Sequence, residues 1–219
     1  MPSLRDKKFA RTRLALAGAL ATALAEQSLA DISVKRLCFE AEVSEATFFN
    51  YFPSKSDLMT YLAHLWLLEL GWYMQQANAR TRGLPAIDEL FAHAAATCAR
   101  KPGVFRELLV WIARGGKLDP ALEISAIEKQ LAFPGLAQID QTPLKGIDAW
   151  LVAELQAAIA AETLPANALL PTLLAASVTI LLGVPLTLLS SAPDKVAGMY
   201  RQQLALLWAG VQATAGYRA

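Results

Sequence analysis

Apolar positions recur at three- and four-residue steps along most of the chain, and strand-like alternation is nowhere long enough to build a sheet. Leu16, Leu20 and Leu24 make the buried stripe of a first helix, predicted over residues 7–27. Two short helices follow. Ser33 caps one that carries Val34, Leu37 and Ala41; Ser44 caps another over residues 45–52, and Glu42-Val43-Ser44 is the turn between them. Phe48 and Phe52 fall four apart and can bury together, which leaves Glu45, Thr47, Asn50 and Tyr51 pointing elsewhere. Pro53 ends this helix, and Ser54 with Asp57 reads as a capping box opening a long helix through Met59, Leu62, Trp66 and Leu70 toward Asn78. After a loop at residues 80–85, helices are expected over residues 86–100 and 103–114, a short one over 121–132, and three more over 144–162, 167–190 and 194–215.

The fold class is therefore all-α: an amino-terminal three-helix helix-turn-helix domain over residues 1–58, and a larger carboxy-terminal helical bundle over residues 59–219. With 219 residues, 55% of them hydrophobic, the chain is long enough to bury a core in each.

A short helix with one apolar and one polar face suits the major groove of DNA. The run from Val43 to Leu58, Val-Ser-Glu-Ala-Thr-Phe-Phe-Asn-Tyr-Phe-Pro-Ser-Lys-Ser-Asp-Leu, resembles the signature of TetR/AcrR-family transcriptional regulators, and the resemblance is close over residues 9–60. It implies that Ser44, Thr47, Phe49, Tyr51 and Lys55 face phosphates, and that Glu45, Ala46 and Asn50 lie nearest the base edges. Lys55 sits in the first turn of the long helix, where backbone amides and an ammonium could converge on one phosphate. Three positions depart from the family pattern: Glu42 stands where Gly is usual in the turn, Phe49 where Tyr is usual, and Tyr51 where His is usual. Phe49 lacks the hydroxyl that would bond a phosphate, and contact with a thymine methyl is the substitute.

Net charge is only +1, which argues against a nonspecific nucleic-acid coat. Its distribution is more informative. Residues 1–13 hold Arg5, Lys7, Lys8, Arg11 and Arg13 against Asp6, a local balance of +4. A basic arm ahead of a helix-turn-helix can track the phosphate backbone or reach a minor groove, and Arg5, Lys7 and Lys8 are its candidate contacts.

From Thr163 to Pro193 the chain carries no charged residue. Length and apolarity alone would permit a membrane span, but Pro165, Pro171, Pro185 and Asn167 interrupt the run and no basic cluster flanks it, so no membrane is expected. A helix buried between its own bundle and a partner chain is the better reading. The last helix carries a second apolar stripe, and the two could pair with their symmetry mates as a four-helix interface. The family resemblance implies the same homodimer, with Leu174, Val178, Leu181, Leu204, Leu207, Trp208 and Val211 as interface candidates.

Aromatic side chains at helical spacing usually belong to a core. The resemblance adds a small-molecule pocket in the carboxy-terminal bundle, for which Trp66, Tyr73, Phe91, Phe105, Trp111, Trp150 and Thr179 are the candidates. Such walls favour an apolar or aromatic effector.

Cys38 and Cys98 have no metal-ligand or redox spacing, and no cofactor or metal is called for. His64 and His93 are isolated on apolar stretches, without a catalytic arrangement, so an enzyme is the weaker reading. The absence of a signal peptide pattern fits a cytoplasmic location. A third reading is an interaction protein whose helix-turn-helix no longer binds DNA, on the grounds of Glu42, Phe49 and the acidic patch of Glu40, Glu42 and Glu45. The reading favoured by the motif is a ligand-responsive repressor of palindromic operator DNA.

Overall fold

The computed structural model describes residues 3–119 and 121–214; Met1, Pro2 and Ala215, included above in the basic arm and the last helix, lie outside the described residues. Among the described residues all regular structure is helical. The order is α1 (Leu4–Ala23), α2 (Val34–Glu40), α3 (Glu45–Tyr51), α4 (Lys55–Asn78), α5 (Leu84–Arg100), α6 (Pro102–Ala113), α7 (Ala126–Ala132), α8 (Ile147–Ala160), α9 (Leu170–Leu188) and α10 (Val196–Thr214).

The chain packs as two compact units. One joins the residues up to Glu69 with Gly103–Leu144, and the other joins Leu70–Pro102 with the residues from Lys145 onward. A functional boundary after Leu58 does not coincide with this packing, because α6 and α7 return to the amino-terminal helices and α4 runs through both units.

In the first unit, α1 begins earlier than its apolar stripe. Ser3 Oγ accepts the Asp6 N–H at 3.1 Å and Asp6 Oδ2 accepts the Ser3 N–H at 3.0 Å, a capping box that opens the helix at Leu4. The supposed arm is thus helical from Leu4. Leu16, Leu20 and Leu24 are all fully buried, as the stripe requires. Ser33 Oγ accepts the Arg36 N–H and Ser44 Oγ accepts the Thr47 N–H, each at 3.1 Å, so both short helices start at their expected caps. Phe48 and Phe52 are buried together, ring centroids 6.2 Å apart. Between α2 and α3, the Val43 N–H donates to Cys38 O at 2.9 Å, and Glu42 is forced to φ +54°.

In the second unit, α5 starts at Gly83, whose φ of +72° suits glycine. The completely buried Glu154 of α8 organises this corner: its carboxylate accepts the Gly83 N–H at 2.8 Å, Arg82 Nε at 2.9 Å and Asn78 Nδ2 at 3.0 Å. Tyr200 of α10 donates its hydroxyl to Leu181 O of α9 at 2.7 Å, and the Phe91 ring on α5 lies nearly perpendicular to the Tyr200 ring with centroids 5.0 Å apart. α9 is long and apolar enough to cross a membrane by length and composition alone, and 28% of it is buried. Its inner stripe, Leu173, Ser177, Leu181, Val184 and Pro185, faces the unit's own core.

Candidate DNA interface

α3 presents its polar face outward. Ser44, Glu45, Ala46, Phe49 and Asn50 are exposed, and Thr47 and Tyr51 are half-buried. Glu45, Ala46, Phe49 and Asn50 share one side of the helix by their spacing. Phe49 rests edge-on against Phe48, centroids 5.3 Å apart, so its ring is braced although half exposed. Tyr51 is held by Phe9 of α1 at 4.9 Å. The Ser44 and Thr47 hydroxyls lie 2.9 Å apart, and Ser44 is already the cap. Arg5, Lys7 and Lys8, the candidate contacts of the basic arm, are exposed on the first turns of α1.

Two basic side chains differ from the sequence expectation. Arg13, counted in the basic arm, is 9% exposed and pairs with Glu128 of α7 at 2.9 Å, so it adds nothing to the outer field. Lys55, expected at a phosphate, points its ammonium into the α1–α2 loop and donates to Leu29 O at 2.8 Å, Ala30 O at 3.1 Å and Ile32 O at 2.5 Å. An ammonium has three N–H donors, and all three are used. Two amides in the first turn of α4 are engaged as well, since Ser54 Oγ accepts the N–H groups of Ser56 and Asp57 at 3.1 and 3.3 Å. Ser54 Oγ donates to Asp57 Oδ2 at 2.7 Å, which replaces the reciprocal half of the expected capping box.

The pocket candidates fall in separate packing units. In the first, Trp66 meets Phe105 edge-on at 4.9 Å, whereas the Trp111 indole N–H donates to Ser56 Oγ at 2.9 Å and ties α6 to α4. In the second, Tyr73 stacks on His93 at 3.7 Å, Phe91 is buried against Tyr200, and Trp150 lies beneath Lys145 Nζ at 5.2 Å. Thr179 faces outward and does not line the core; the buried hydroxyl of α9 is Ser177, two residues earlier. Ser177 Oγ and the indole N–H groups of Trp66 and Trp150 are buried with no hydrogen-bond partner among the described residues. Ser177 is signalled by its four-residue spacing from Leu173 and Leu181 on the inner stripe.

The interface candidates divide too. Leu174, Val178, Leu207 and Val211 are half-buried and available. Leu181, Leu204 and Trp208 are buried within their own unit and are core residues. The most exposed apolar side chains of α9 and α10, Leu186 at 66% and Leu206 at 73%, were not among the candidates.

The first unit therefore contains a helix-turn-helix domain. Residues 16–62 match the family model described as "Bacterial regulatory proteins, tetR family". Salmonella enterica GusR is similar in structure, with 20% identity, a TM-score of 0.59, and coverage of 92% of this chain and 95% of that one. A TetR transcriptional regulator from Rhodococcus sp. RHA1 is also similar, at 15% identity and a TM-score of 0.54, covering 91% of this chain and 98% of that one. At these identities the likeness is one of fold. No curated protein matches the chain.

Proposed function

We propose that the protein is a cytoplasmic, ligand-responsive repressor that binds a palindromic operator as a homodimer and is released by a small apolar effector. The observation that carries the reading is the exposed face of α3, with Glu45, Ala46 and Asn50 open to base edges and a capped, braced helix beneath them. One such helix reads few bases, and a twofold pair spaced by about 34 Å reads two successive major grooves. The outward apolar side chains of α9 and α10 support the dimer. Within the second unit, the buried unpartnered groups Trp150 Nε1 and Ser177 Oγ support an effector that carries a polar oxygen on an apolar frame. Effector binding shifts the population toward a dimer with mismatched recognition helices, and α4, continuous through both units, carries the change.

A second reading, a helix-turn-helix that no longer binds DNA, is favoured by Glu42, which is exposed at the turn beside Glu40 and Glu45. Fluorescence anisotropy against the DNA flanking the gene, with scrambled DNA as control and at two salt concentrations, decides between them. A repressor holds one palindromic segment at the salt where the control is lost. If DNA selected from a random pool also binds no better than the control, the second reading stands.

A further inference from the structure

Gly103, Glu107 and Trp111 follow one another at four-residue steps and form a single stripe along α6. Each touches a different part of the helix-turn-helix domain. Gly103 lies against the end of α1 so closely that a Cβ would come within 2.8 Å of the Ala25 Cα, and closer still to Leu24 O. Glu107, buried at 7% exposure, accepts the Leu29 N–H at 2.9 Å through Oε2. Trp111 donates to Ser56 at the start of α4.

The Leu29 residue is thus gripped on both sides: its N–H by the Glu107 carboxylate, and its carbonyl by the Lys55 ammonium. The α1–α2 loop sets where α2 and α3 leave α1. The loop backbone is held by a buried carboxylate, whose other oxygen lies 3.6 Å from Arg106 Nε, and by a three-point ammonium, and charge-assisted bonds of this kind are the stronger ones. We propose that Lys55 and Glu107 are positioning residues, a charged clamp on the α1–α2 loop that holds the recognition helix in its reading orientation, and that Lys55 is not a phosphate ligand. Trp111 and the close approach at Gly103 fix α6 as the base of the clamp. The claim about DNA rests on the function proposed above; the claim about the loop does not.

The test uses the full chain and the variants Lys55→Met, Glu107→Ala, Glu107→Gln and Trp111→Phe, on DNA selected from a random pool. Two quantities are read: anisotropy over a series of salt concentrations, and amide hydrogen exchange of the segment spanning residues 24–33. Lys55→Met and Glu107→Ala are expected to weaken binding about tenfold and to speed exchange in that segment. The slope of log affinity against log salt should stay at the wild-type value. Glu107→Gln, which keeps an acceptor for the Leu29 N–H, should recover most of the affinity, and Trp111→Phe should give a smaller loss in the same direction. A slope reduced by about one in Lys55→Met assigns the ammonium to a phosphate and overturns the proposal. Unchanged exchange in Glu107→Ala overturns it as well. If the wild-type chain selects no DNA, the repressor reading fails, and accelerated exchange in both Lys55→Met and Glu107→Ala still upholds the clamp.

Discussion

Arg13 of α1 and Glu128 of α7 form an ion pair of 2.9 Å in the interior of the first unit. The carboxylate is almost fully satisfied: the Tyr61 hydroxyl donates to it at 2.9 Å, and the Ser125 N–H and Oγ–H donate at 2.9 and 2.7 Å as the cap of α7. The guanidinium lies 4.1 Å from the centre of the Tyr61 ring. One buried pair thereby joins α1, α4 and α7, so the segment after α6 belongs to the platform of the helix-turn-helix.

Breaking that pair from one side leaves an uncompensated buried charge. Glu128→Ala should lower the stability of the protein by about 3–5 kcal/mol, measured by urea unfolding. The double change Arg13→Met with Glu128→Leu should recover most of the loss, because it removes both desolvation costs. Equal destabilisation by the single and double variants would show that shape, and not charge, dominates there.

The Glu42 turn gives a second expectation. Its φ of +54° is a conformation that costs a side chain with a Cβ roughly 1–2 kcal/mol. Glu42→Gly should therefore stabilise the fold by about 1 kcal/mol and, by removing an anion near the proposed DNA face, raise affinity for operator and scrambled DNA alike. Denaturation midpoints and anisotropy on both DNAs check the two halves separately.

Much of the helix-turn-helix was legible because its determinants are local. Ser33 and Ser44 cap helices three residues away, and Phe48 and Phe52 pair within one turn. The fate of Arg13 and Lys55 was not legible, since their partners are brought in by tertiary packing from α7 and from the α1–α2 loop. In α9 the difficulty is different: a helix apolar all round carries no polar stripe to set its rotational phase, so the sequence does not separate the outward Thr179 from the buried Ser177. The Ser3 and Asp6 capping box is local as well, and it carries α1 through the basic residues to Leu4.

In the second unit, burial of the imidazole, reinforced by the Arg100 charge, pushes the His93 pKa down to about 4. The unfolded chain protonates this residue near 6.5, so as pH falls the unfolded state takes up the proton first. The stabilisation from neutral His93 is fully present above about pH 6.5 and declines toward pH 4. With allowance for the partial exposure of the ring, the loss should be about 1–2 kcal/mol. Urea midpoints at pH 7 and pH 5 should separate more for the wild type than for His93→Gln. The same separation in both proteins would place the pH dependence elsewhere.

Asn50 is exposed on α3 where its amide can donate to and accept from an adenine edge. Asn50→Ala should lose about 1–3 kcal/mol of discrimination at one operator position and little affinity for scrambled DNA. A selection experiment on both proteins reads this directly. Uniform weakening on every sequence would move Asn50 from the base edge to the backbone.

Leu206 on α10 and Leu186 on α9 are 73% and 66% exposed, although both stand on helices whose inner stripes are already packed. Outward leucines on two helices that pack on each other make a surface that water does not favour. If that surface closes on a second copy, Leu206→Glu places two like charges near a twofold axis and should convert the dimer to a monomer at micromolar concentration, with little change in helicity. Trp208→Ala, two residues on, should instead destabilise the fold by about 3–5 kcal/mol, because Trp208 is buried within its own unit. Sedimentation velocity and circular dichroism on the two variants separate the roles. A Leu206→Glu protein that stays dimeric would show that the interface lies on another face of the second unit.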